Sequence, residues 1–117
     1  MPFTEVTRLT LDPNDPTRLA VDGTLGDTFL SGRVLSSTVH FLVTQGSAIA
    51  VGEAPGDPLW TGQATSVLTE ADVGGQPTPL TAGESALVVG LAIVLKGGAE
   101  PPPMFETVAW SQNISIE

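Results

Sequence analysis

Apolar and polar residues alternate along this chain with a period of two, and Gly, Pro, Asn and Asp interrupt the alternation at short intervals. That pattern commits the backbone to short strands, because successive side chains of a strand point to opposite faces while a helix repeats every 3.6 residues. Residues 34–44 carry the pattern most plainly, with Val39, Phe41 and Val43 on one face and Thr38, His40, Leu42 and Thr44 on the other. Gln45-Gly46-Ser47 then reads as a hairpin loop, since residues 48–51 resume β-type side chains at once. Further strands are expected over residues 3–11, 18–25, 60–68 and 105–116. In the strand over 60–68, Trp60, Ala64 and Leu68 share a face, with Gly62 and Ala64 leaving room beside the indole. Asp12-Pro13-Asn14-Asp15-Pro16, residues 53–58 and residues 71–83 read as turns and loops, because their prolines and glycines cannot sustain a regular ladder.

The stretch over residues 85–95 is unusual in being apolar on both faces. Leu87, Val89, Leu91, Ile93 and Leu95 share one side, and Ala86, Val88, Ala92 and Val94 the other. A strand of this kind is expected to be covered on both sides. In a two-layer fold the core covers one face, so the second calls for a loop or another subunit. On this expectation Leu91→Asp is more damaging than Glu70→Gln, because it sets an unpaired charge on a covered face.

Seven or eight strands at this spacing, with no helical period, predict an all-β fold: an antiparallel β-sandwich, immunoglobulin-like or jelly-roll, forming one domain over residues 1–117. A hydrophobic fraction of 41% supplies enough apolar material for one core. Charged residues make up 15% of the chain, below the roughly 25% usual in soluble domains. A surface so poor in charge points to partial coverage by a partner. Arg8, Arg18, Arg33 and Lys96 are the whole cationic complement against thirteen acids, for a net charge of −9. Four scattered bases build neither a phosphate-tracking groove nor a patch for anionic lipid, so neither nucleic acid nor a membrane is an expected partner. The first residues show no basic and apolar export signal, and the apolar run over residues 86–95 is about half the ~20 residues a spanning helix needs.

Catalytic parts are scarce. There is no cysteine, and the one histidine, His40, lies in mid-strand without an evident nucleophile and orienting acid. No nucleophile elbow, phosphate loop or His-Glu-x-x-His occurs. Asp22 with Asp27 and Glu70 with Asp72 are acid pairs in turns, where Asp favours local hydrogen bonds. The oxygen-rich run from Asp12 to Asp15 lacks the glycine and distant Glu of a calcium loop and reads as an Asx turn. Neither an enzyme, a cofactor nor a metal is expected. Asn113-Ile114-Ser115 is a glycan acceptor only in a secretory pathway, and Pro101 to Pro103 reads as a loop stiffener.

The binding candidates are therefore Trp60 and Trp110, as indole platforms, and the stripe Leu87, Val89, Leu91 and Ile93. Each tryptophan shares a face with aliphatic residues, so core placement is the expected position of both. The function expected is that of a non-enzymatic structural subunit that self-associates or decorates a scaffold protein, in the manner of a virion decoration or tail protein or a surface filament. The alternative is a monomeric recognition module for carbohydrate.

Overall fold

A computed structural model describes residues 4–26, 33–70, 72, 74–97 and 103–117. They contain seven strands and no helix: β1 (Glu5–Asp12), β2 (Asp15–Thr24), β3 (Arg33–Gln45), β4 (Ala48–Pro55), β5 (Leu59–Ser66), β6 (Ser85–Gly97) and β7 (Met104–Ser115). All seven belong to one sheet of order β1-β2-β5-β4-β3-β6-β7, every neighbouring pair being antiparallel. The all-β antiparallel expectation is met. The pairing differs from the separate sheets of the expected sandwich or jelly roll, since a single ladder runs from β1 through to β7.

The sheet curls until its two ends meet. Leu9 and Ile116 form an isolated parallel bridge, the Leu11 N–H donates to the Glu117 carbonyl at 2.8 Å, and the Glu117 N–H donates to the Leu9 carbonyl at 2.8 Å. Farther along the seam the side chain of Gln112 takes the place of a ladder. Its Oε1 accepts from the Val6 N–H at 2.7 Å and its Nε2 donates to the Val6 carbonyl at 2.8 Å, so one amide satisfies both backbone groups of a residue on the opposite edge. The same Oε1 accepts from the Trp110 indole N–H at 2.8 Å. Gln112→Leu keeps the volume and removes all three bonds, and an unfolding free energy lower by about 1–3 kcal/mol in a denaturant titration is the expected result.

Curling a sheet around so small a space leaves room for few large side chains. Ala48, Ala50, Ala54, Ala64, Ala86 and Ala92 are buried on the inner face, and the glycines lie opposite rings. Gly23 pairs with Trp60, Gly52 and Gly90 both pair with Phe41, and Gly90 also pairs with Trp110. A Cβ on Gly23 would lie 2.2 Å from the Trp60 ring and one on Gly90 2.3 Å from the Trp110 ring, closer than atoms pack. Trp60 and Phe41 stack with centroids 5.6 Å apart and planes 13° from parallel. Val6, Leu9, Leu19, Val21, Val39, Val43 and Val88 complete the core around them.

The connection from β5 to β6 closes one end of this core. Leu80 is buried there, its N–H donating to the Pro16 carbonyl at 2.8 Å. Gln45 clamps the connection: its Oε1 accepts from the Thr81 N–H at 2.7 Å and its Nε2 donates to the Thr81 carbonyl at 3.0 Å. Asp72 accepts from the Thr78 hydroxyl and from the Thr69 N–H, bonds that hold its carboxyl below the usual carboxylate range, chiefly through Thr78.

Several strand limits differ from the sequence expectation. Pro16 falls inside β2, at an end of the strand where it has no ladder partner on either side. Glu53 lies within β4 and not in a loop, because Gly52 and Ala54 supply the small inner residues that Phe41 and Val39 require opposite them. Leu68 lies beyond β5 and is exposed, so it does not share the inner face with Trp60 and Ala64.

Candidate docking surface

The outer face of the sheet divides into two unlike halves. On β1, β2 and β5 it carries Thr10, Arg18, Asp22, Thr61, Gln63 and Thr65, with Leu59 as an apolar exception. Thr61 donates its hydroxyl to Asp22 Oδ1 at 2.8 Å. Across β4, β3, β6 and β7 the register aligns outward side chains in rows. Glu53, His40, Leu91 and Ala109 form one row, and Val51, Leu42, Val89 and Ser111 the next. These are flanked by a row of Ile49, Thr44, Leu87 and Asn113 and by a row of Pro55, Thr38, Ile93 and Thr107. His40 and Glu53 are the only ionisable side chains in the four rows, and they stand together, Nδ1 to Oε2, at 3.6 Å.

β6 runs inside this half, between β3 and β7. The candidate stripe stands on it: Leu87 is 40% exposed, Val89 46% and Leu91 38%, with Ile93 half-buried. Its inner residues Ala86, Val88, Ala92 and Val94 are buried, so the smaller side chains face the core and the larger face outward. No described loop covers the outer stripe, and of the two covers expected from the sequence the chain's own core supplies one. Leu91→Asp therefore places its charge on a face open to solvent in a single chain, not inside the fold. Beyond the four rows, Phe105 pairs with Leu95 and is 67% exposed. Between the two central rows lies a shallow hollow of about 450 Å³, lined by His40, Leu42, Val51, Val89, Leu91 and Ala109 over a floor of Phe41, Gly52 and Gly90.

The tryptophans lie on the inner side. Trp60 is 2% exposed and offers no open ring face; its Nε1 finds no acceptor among the described residues. Trp110 is half-buried at the seam, with its N–H taken by Gln112. The structure thus brings the four stripe residues together and sets both indoles apart from them. Sequence reasoning missed His40, Glu53, Leu42 and Val51 as neighbours of the stripe, because cross-strand register, which no local pattern encodes, puts them there. It missed Gln112 as well, whose signal was a polar residue at an inward position between Trp110 and Ile114.

Other chemistry is sparse. Among the described residues no three of His, Cys, Asp and Glu gather where a metal ion could sit. Asp12 accepts from the Asn14 N–H at 2.8 Å in an Asx turn. Asp15 accepts from the Thr17 hydroxyl at 2.6 Å and the Thr17 N–H at 3.0 Å, and these bonds, the hydroxyl foremost, hold its carboxyl below the usual range. Among the described residues no helix is long and apolar enough to cross a membrane. No protein-family model, curated protein or solved structure matches this chain.

Proposed function

We propose that this chain is a non-enzymatic assembly subunit that docks through the outer half of β4, β3, β6 and β7 onto copies of itself or onto a scaffold protein, as a virion decoration or tail protein or a surface-filament subunit does. The observation that carries the reading is the row of Leu87, Val89 and Leu91 standing 38–46% exposed along one strand. Monomeric proteins seldom leave a contiguous apolar patch of this kind uncovered. Covering it removes apolar area from water at about 25 cal/mol per Å². The sandwich-like character of the fold belongs to the same proposal, and is supported by the two flanks of the curled sheet facing each other across a shared core. A carbohydrate module built on Trp60 or Trp110 has weaker support, since one ring is buried and the other has its N–H engaged.

Light scattering across a dilution series tests the reading. The expected mass exceeds the 12.0 kDa of one chain, and Leu91→Asp is expected to lower the association constant at least tenfold, because docking would bury a carboxylate against aliphatic side chains. Glu70→Gln, on an exposed turn residue, should leave the mass unchanged. An oligomer that survives Leu91→Asp intact contradicts docking through this half.

A further inference from the structure

We infer that docking through the apolar outer half takes up a proton on the His40–Glu53 pair, so that assembly strengthens as the medium turns mildly acidic. The inference rests on the assembly reading above and adds to it the regulation of that contact.

The pair is the one charged spot in a face that docking strips of water. His40 Nδ1 stands 3.6 Å from Glu53 Oε2, and the two side chains are 46% and 69% exposed. Leu42 on β3, Val51 on β4, Leu91 on β6, Ala109 on β7 and Gln63 on β5 surround it. Among the described residues no other titratable or charged side chain faces the pair from these five strands, and Asp22 and Arg18 stand on β2, beyond β5. In an undocked chain water screens both groups, and the charge on the imidazole matters little to the fold.

Docking changes that balance. A cover matched to Val51, Leu91 and their neighbours is itself apolar and leaves the pair to neutralise itself. With a neutral imidazole the contact buries Glu53 as an unpaired carboxylate, which is the costly case. With a protonated imidazole it buries an ion pair of no net charge, whose attraction grows in drier surroundings and offsets much of the desolvation. The docked state therefore holds the proton more tightly than the free chain. By linkage each docked face gains up to about tenfold in association constant per pH unit while the imidazole titrates.

The composition isolates this effect. An imidazole ordinarily changes charge between about pH 5 and 8. His40 is the only histidine and cysteine is absent, so no other type of side chain in the protein ordinarily titrates in that interval.

Sedimentation equilibrium at pH 5.5 and pH 8, at one ionic strength, tests the inference on the wild type and on two variants of similar side-chain size. The wild-type association constant is expected to be at least tenfold larger at pH 5.5. Glu53→Gln is expected to reverse the dependence, because the protonated imidazole is then the unpaired charge that docking must bury. His40→Gln is expected to flatten it, with a constant near the wild-type value at pH 8. Both variants should keep the wild-type circular dichroism spectrum, since both positions are exposed. An oligomer with equal constants at the two pH values, or a Glu53→Gln protein that keeps the wild-type dependence, overturns the proton linkage and leaves the assembly reading standing. Assembly that strengthens toward pH 8 does the same, because the cover would then bring its own cation to Glu53. A wild-type mass of 12.0 kDa at every pH and concentration overturns self-association through this face, and the linkage with it.

Discussion

Trp60→Ala is expected to destabilise the folded chain by about 3–5 kcal/mol, the range for emptying a buried aromatic position. The indole is 2% exposed and stacked on Phe41 with centroids 5.6 Å apart. It lies between β2 and β4 on the inner wall, opposite Gly23 and beside Gly62, where neighbours without side chains cannot move in to fill the void. Stacking adds about 0.5–1.5 kcal/mol beyond burial. For a domain of this size the loss lowers Tm by roughly 10–25 °C. Trp60→Phe should cost less than half as much, because it keeps a ring against Phe41 and gives up an N–H that has no acceptor among the described residues. Calorimetry with urea titration reads both variants. A Trp60→Ala protein within about 1 kcal/mol of wild type would mean the ring is not the centre of the core.

Gly52→Ala is expected to cost about 3 kcal/mol or more, from one added methyl group. A Cβ there would lie 1.9 Å from the Gln63 carbonyl oxygen and 2.7 Å from the Phe41 ring. The first of these is backbone, so β4 and β5 must separate or Phe41 must leave its rotamer. Gly46 provides the contrast. It sits in the β3–β4 turn at φ +60° with nothing within 4 Å of a built Cβ, so Gly46→Ala meets left-handed backbone strain of about 1–2 kcal/mol and no clash. Urea titration of the two variants separates steric exclusion from backbone conformation. Equal losses would show that β4 and β5 accommodate the added carbon at no greater cost than the backbone strain of the turn.

These two positions also explain how much of the fold was legible in the sequence. Alternation placed the strands apart from several of their limits and grouped the faces of β3 and β6 correctly: Val39, Phe41 and Val43 lie together inside, as do Ala86, Val88, Ala92 and Val94. Alternation does not say which face is the inner one when both are apolar. Hydrophobicity by itself favours burying the leucines of residues 85–95, yet the interior takes the alanines, because Trp60, Phe41 and Trp110 arrive from other strands and occupy the space. That is a tertiary fact without a local signature. Residues 53–58 looked like a loop for a related reason: Gly52, Glu53 and Pro55 are poor strand formers, and their place in β4 follows from what Phe41 needs opposite it. The insertion of β5 between β2 and β4 is likewise invisible to any pattern within β5.

The candidate surface was legible as a list of residues but not as a surface. Leu87, Val89, Leu91 and Ile93 were evident as one face of a strand, and a second cover beyond the core was expected of it. That the neighbouring outward positions are Leu42 and Val51, and that Glu53 meets His40, depends on the registers of β3 with β4 and β6. Trp60 and Trp110 drew attention as large aromatic side chains in a chain with few of them, and the curl of the sheet turns both toward its interior.

Hydroxyl-radical footprinting as a function of protein concentration tests the central claim most directly, because it reads the side chains themselves. Leu87, Val89, Leu91 and Phe105 should be modified readily in dilute protein and at least fivefold more slowly in concentrated protein, while Leu59, exposed on the polar half, keeps a constant rate. An outer stripe that remains equally reactive at every concentration, or protection that falls on Leu59 as much as on Val89, contradicts an assembly built through this face.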